Sequence, residues 1–147
     1  MHSLEATKIF PNLQRLAQGG ELEVLPPSRS QFVTLVRMGR ALLEDARRES
    51  LSLEGRFSLV YGAAQALSAA ALRSRGYRTG NRAAAFECLP ETAGLTHVQS
   101  RVLEICHDRR VRAERDGLLE VDERLVGEAA DVAQKLLDRL ERAKVPA

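Results

Sequence analysis

Apolar residues recur at helical spacing through most of this chain, and Pro, Gly and capping residues mark the breaks between runs. Phe32, Leu35, Val36, Leu42 and Leu43 share one side of a segment behind Ser30, predicting a helix from Gln31 to about Glu49 with Ser30 as N-cap. Arg37, Arg40, Arg47 and Arg48 occupy its other, solvated side. Behind Ser52, from Leu53 to Arg75, apolar residues cover nearly the whole circumference: Phe57, Leu59, Val60, Ala63, Ala64, Leu67, Ala70, Ala71 and Leu72. A helix apolar all round belongs in the middle of a domain, and its many alanines let neighbours approach closely. Gly76 then stands where a left-handed C-terminal residue is expected, with Tyr77 after it.

Thr79-Gly80 reads as a turn, and Asn81 opens a shorter helix through about Cys88 that Pro90 ends. Thr96 and Gln99 form a capping box for a helix that Gly117 breaks. Leu118, Val121, Leu125, Ala129, Val132, Leu136 and Leu140 predict a last helix over about 119–143, with Pro146 beyond it. At the front, Leu4, Ile9, Phe10, Leu13 and Leu16 suit a short helix over 4–17 interrupted by Pro11, and favour its docking on the rest. Gly19-Gly20 follows, and then an extended connector, Glu21 to Pro27. The expected fold is all-α. Residues 31–145 form an antiparallel bundle of four to five helices, and residues 1–30 are an N-terminal appendage and linker.

Composition narrows the class. The chain has 147 residues, one domain's worth; it is 44% hydrophobic but 4% aromatic, with no Trp. That mix suits a helical bundle built on aliphatic ridges and argues against a β-rich fold. Net charge is only +2, and the basic residues are 19 Arg against 3 Lys, so Arg abundance by itself signals little. Cys88 and Cys106 have no Cys-x-x-Cys pattern and no metal-spaced partners, so they read as reduced core thiols of a cytoplasmic protein that needs no metal or cofactor. The first residues carry charge where a signal peptide needs an apolar run. The most apolar stretch, Phe57 to Leu72, holds Ser58, Gln65 and Ser68 and is too short to span a bilayer. No Gly-rich phosphate loop or paired-carboxylate site is present, and Cys106 and His107 point about 100° apart on a helix, too far for a nucleophile and its base.

Charge concentrates between Arg101 and Gly117, where five arginines, one histidine and four acids lie on a helical apolar spacing. Charge that dense on a core-seeking helix marks a polar cleft or an interface. The stretch Arg110-Val-Arg-Ala-Glu114-Arg115-Asp-Gly117 resembles the signature of the HEPN family, small helical nucleotide-binding proteins. Tyr61-Gly-Ala-Ala-Gln-Ala-Leu67 looks like that family's Tyr-Asn-x-Ala-x-x-Leu stretch, and Gly76-Tyr77-Arg78 like its Gly-Tyr pair. The resemblance covers about residues 31–143 and implies an antiparallel bundle that works as a homodimer.

In active members an Arg-x-x-x-x-His motif from two subunits meets across the dimer and cleaves RNA without metal. The histidine moves a proton and the arginine neutralises charge on phosphate. Here Arg110 takes the arginine position, Val111 replaces the frequent Asn, and Arg115 stands where His belongs. Arginine stays protonated at physiological pH, so the general acid/base is missing as written. Gly117 holds the position of the tyrosine that partner nucleotidyltransferases modify in some toxin-type members.

His107, three residues before Arg110, lies about 60° from it on a helix, and Glu114 is a further turn along. These three form one polar row. It is either a displaced catalytic set or a structural salt-bridge network at a dimer interface. His2 and His97 do not compete, since one is terminal and the other opens a helix. Arg109, Arg112 and Arg115 add to the basic face of this helix. A second basic cluster, Arg73, Arg75, Arg78 and Arg82, has no acid between Arg73 and Phe86 and could present guanidiniums and free backbone N–H groups to an RNA or nucleotide phosphate. Arginine at a helix C-terminus also satisfies the macrodipole with no ligand at all.

Three functions fit. The first, implied by the resemblance, is a catalytically degenerate HEPN-like module of a toxin–antitoxin or defence-type system, which dimerises and binds a partner protein such as a nucleotidyltransferase, or RNA, or a nucleotide. The second is a metal-independent endoribonuclease using His107, Arg110 and Glu114. The third is a helical scaffold with no nucleic-acid role.

Overall fold

The computed structural model describes residues 10–143. In chain order these form α1 (Pro11–Gln18), β1 (Glu23–Val24), α2 (Arg29–Asp45), α3 (Leu53–Ser74), β2 (Tyr77–Arg78), α4 (Arg82–Glu87), α5 (Leu89–Ala93), α6 (His97–Asp116) and α7 (Glu123–Arg142). The class is all-α as expected, with four long helices, three short ones and a two-residue antiparallel ribbon among the described residues.

Local chemistry sets most of the boundaries. Ser52 Oγ accepts from Gly55 N at 3.0 Å and starts α3. Both halves of the capping box form at α6: Thr96 Oγ1 accepts from Gln99 N at 3.0 Å, and Gln99 Oε1 accepts from Thr96 N at 2.9 Å. Gly76 and Gly117 follow α3 and α6 with φ of +86° and +69°, a region other residues enter at a cost.

Five boundaries depart from expectation. α2 starts at Arg29, capped by Ser28 rather than Ser30, because Pro26-Pro27 hold the chain extended up to Ser28, whose Oγ accepts from Gln31 N at 3.3 Å. It also ends early, at Asp45. Pro11 begins α1 instead of interrupting it, and Pro90 sits in the first turn of α5, where a missing N–H removes no helical bond. α7 starts at Glu123, since the Asp122 carboxylate accepts from Leu125 N at 2.8 Å. The expected positions Leu4, Ile9 and Pro146 lie outside the described residues.

α3 is the axis of the fold. It packs against α2, α7, α4, α5, α6 and β2, and Ala63, Leu67, Ala70 and Ala71 on it are completely buried. One close approach of α2 to α3 rests on a glycine. A Cβ at Gly39 of α2 would meet the Leu67 side chain at 2.5 Å. A smaller core unites Leu13, Leu16 and Leu22 with Leu72, Ala85 and Cys88. Residues 10–28 are thus docked on the helices, and the expected boundary at residue 30 falls in the first turn of α2. Cys88 and Cys106 are buried and free, and burial pushes both thiols up to about 12, far from thiolate at neutral pH. No helix of the described residues is long and apolar enough to cross a membrane.

Candidate functional site

α6 changes character halfway along. Ser100, Leu103 and Cys106 are its only buried residues, and from His107 onward none is buried. Its second half is therefore a charged rim laid against α3 and α4. There His107 Nδ1 lies 2.9 Å from Tyr61 Oη, with the two rings 6.3 Å apart and nearly parallel at 14°. Phe86 of α4 closes the aromatic group, edge-on to both Tyr61 and His107.

Two guanidiniums cover the Tyr61 ring, Arg110 at 5.6 Å and Arg82 at 5.8 Å from its centroid. Both turn to the same carboxylate: Arg82 Nη2 lies 3.3 Å from Glu114 Oε1, and Arg110 Nε lies 3.4 Å from Glu114 Oε2. The Arg110 contact has ion-pair distance without hydrogen-bond alignment, so the buried Nε has no hydrogen-bond partner. Arg110 Nη1 donates to Ser58 Oγ at 3.3 Å. The row His107, Arg110 and Glu114 is thus brought together, and Arg82 joins it from the second basic cluster.

The electrostatics follow from this crowding. Burial lowers the His107 pKa below 6.5, Arg82 lowers it further, and Asp108 and Glu114 oppose. His107 is therefore neutral at pH 7. If Tyr61 donates, Nε2 carries the proton; if Tyr61 accepts, Nε2 is free to take one. Burial raises the Tyr61 pKa, and nearby Arg82 and Arg110 lower it while Glu114 raises it. Tyr61 therefore keeps its proton, and the group has one neutral imidazole, one phenol and two cations sharing one carboxylate. Among the described residues no group of three or more His, Cys, Asp or Glu side chains could hold a metal ion.

The other expected contacts divide. Arg112 pairs with Glu120 at 2.9 Å, and the exposed Arg115 pairs with its neighbour Asp116 at 3.3 Å. Arg109 is half-buried, and its Nε has no hydrogen-bond partner. The second cluster does not converge. Arg73 is only 4% exposed and donates to Gln31 Oε1, Leu25 O, Pro26 O and Tyr77 O, at 2.6 to 3.3 Å. With four of its five donors used inside the fold, Arg73 does not face solvent as the expected nucleic-acid contact. Burial draws its pKa down, Arg78 adds to this, and Glu23 opposes. Arg75 Nε donates to Thr92 O at 3.3 Å and lies over Phe10, while Arg78 pairs with Glu23 at 2.9 Å.

Sequence reasoning missed Tyr61 and Ser58 as members of the site. One signal was available: a tyrosine on a buried helix needs a partner for its hydroxyl, and His107 was the one histidine placed within a helix. No family model matches the chain, and no curated protein or solved structure matches it either.

Proposed function

We propose that this chain is a HEPN-like helical-bundle module that binds a phosphate-bearing ligand, RNA or a nucleotide, at the Arg82–Arg110 cluster without turning it over. The carrying observation is that Arg82 and Arg110 converge on one carboxylate, Glu114, over the Tyr61 ring. Two guanidiniums facing one anion are what a phosphate requires, and Glu114 occupies that place in the free chain. The family resemblance supplies the rest of the reading: a homodimer that doubles the row across its axis, and a partner protein, a nucleotidyltransferase or the other member of a toxin–antitoxin or defence-type pair. Arg115, where the family's histidine belongs, supports the catalytically degenerate form.

A second reading, a metal-independent endoribonuclease, is favoured by one observation. The Tyr61–His107 pair holds a neutral imidazole beside Arg110, the protonation state a general base needs. One experiment separates the two. Purified protein is incubated with total RNA in EDTA, and a labelled single-stranded RNA is titrated in parallel by anisotropy, each with an Arg110→Ala control. Binding that weakens in Arg110→Ala, with no cleavage, is expected. Cleavage abolished by Arg110→Ala and by His107→Ala selects the ribonuclease. A folded preparation that neither binds RNA, nor AMP titrated in the same way, nor cleaves leaves the scaffold.

A further inference from the structure

The Arg73 corner poses a separate problem in electrostatics. The residue is 4% exposed, yet all four acceptors its guanidinium uses are neutral: one amide and three backbone carbonyls. No carboxylate of the described residues lies within ion-pair distance, and Glu23, the acid whose charge reaches Arg73, is committed to Arg78 at 2.9 Å. A buried cation without a counter-ion is costly, so one is expected to be supplied. Beside it opens a cleft of about 490 Å³ between α2, α3, β2 and α4. That volume is in the range of small-molecule sites. Leu35, Ala69, Leu72 and Ala85 form its apolar wall, and the other six lining residues are polar, Gln31, Arg73 and Arg78 among them.

The donors left over fit one kind of head group. Arginine has five N–H donors and no acceptor, and four are used here, which leaves one. Because Arg73 can only donate, the Gln31 oxygen must face it, and the Gln31 amide N–H₂ is left without an assigned partner. A donor on a cation and an amide donor on the residue hydrogen-bonded to it suit the two oxygens of a carboxylate. Charge sets the valence. Arg78 also lines the cleft but is paired with Glu23 at 2.9 Å, which leaves Arg73 as its unpaired cation and suits a monoanion better than a nucleotide's phosphates.

We propose that this cleft is a binding site for a small amphipathic monocarboxylate, its head on Arg73 and Gln31 and its apolar body along Leu35, Ala69, Leu72 and Ala85. The site is distinct from the Arg110 cluster and stands whether or not that cluster binds phosphate.

The test uses octanoate as probe, titrated calorimetrically into the full chain, with 1-octanol, acetate and inorganic phosphate as comparisons. Octanoate is expected to bind saturably and about tenfold or more tighter than each of the others, since only it offers both charge and body. Two variants locate the site. Thr34→Trp, at an exposed lining position of α2, places a ring in the cleft and weakens octanoate about tenfold or more. The chain has no other Trp, so a blue-shifted emission verifies that the ring is seated. Gln31→Glu supplies the missing counter-ion from the chain itself, and should raise the thermal midpoint while abolishing octanoate binding. Three results would overturn the proposal: no saturable binding to folded protein, octanol or phosphate binding as tightly as octanoate, or octanoate binding unchanged in both variants.

Discussion

Arg73 and Arg110 are the same residue type on neighbouring helices, and the fold treats them in opposite ways. Arg73, in the last turn of α3, is buried, and four of its donors tie the Leu25-Pro26 connector, β2 and α2 together. Arg110 stands on the exposed half of α6, about a third of its side chain accessible, and shares Glu114 with Arg82. Backbone carbonyls cannot be exchanged for a ligand without breaking the fold. A carboxylate on a half-exposed side chain can be displaced by another anion. Burial and the kind of acceptor, not the density of arginine, decide how much of each guanidinium is left for a ligand: one donor at Arg73, an exchangeable ion pair at Arg110.

Removing each guanidinium breaks this comparison open most widely. Arg73→Ala removes four hydrogen bonds to the part-buried acceptors of Leu25, Pro26, Tyr77 and Gln31 and empties the space of a buried side chain, and a loss of about 1–3 kcal/mol is expected in urea denaturation. Arg110→Ala removes a partly solvated pair and should change stability by less than about 1 kcal/mol. Equal losses would mean that the α6 rim is as structural as the α3 corner.

How much of this was legible follows the same line. Ser52, the Thr96–Gln99 box, Gly76 and Gly117 act within four residues of themselves, so sequence read them. Choosing Ser28 over Ser30 as the α2 cap needed the weight of Pro26-Pro27, two equivalent serines otherwise being available. The burial of Arg73 depends on a ribbon only two residues long on each strand, too short to show alternation. Within the candidate site, the row His107, Arg110 and Glu114 was visible because one helix carries it. Tyr61 lies 46 residues from His107 and Arg82 lies 32 from Glu114, and no local spacing encodes those meetings.

The Tyr61–His107 pair sharpens the contrast between an interior and a rim. Tyr61→Phe keeps the ring under both guanidiniums and removes one hydrogen bond, so a loss of about 1 kcal/mol is expected. The pH dependence has a definite sign. The folded His107 pKa lies below its ordinary value of 6.5, so the unfolded chain takes up the proton first. Stability is then full above 6.5 and falls as pH drops through 6.5 toward the folded value. His107→Asn should flatten the decline in that window. An undiminished slope would assign it to groups other than this imidazole, among them the facing Glu114 and Asp108.

The smallest change tests what Glu114 does. If its carboxylate holds the place of a phosphate, Glu114→Gln removes the competing charge and leaves Arg82 and Arg110 in position over Tyr61. The pair is solvent-facing, its side chains 36% and 51% exposed at Arg82 and Glu114, so the loss in stability should stay under about 1 kcal/mol. Binding of a single-stranded RNA should tighten by about two- to fivefold, the affinity equivalent of releasing one such pair. A non-specific effect of one negative charge fewer would also tighten binding, so the control is Glu120→Gln, which frees Arg112 elsewhere on the rim. Tightening in Glu114→Gln well beyond Glu120→Gln assigns the effect to the cluster over Tyr61. Equal tightening would reduce that cluster to one more part of a basic surface, and remove the argument that two converging guanidiniums define a site.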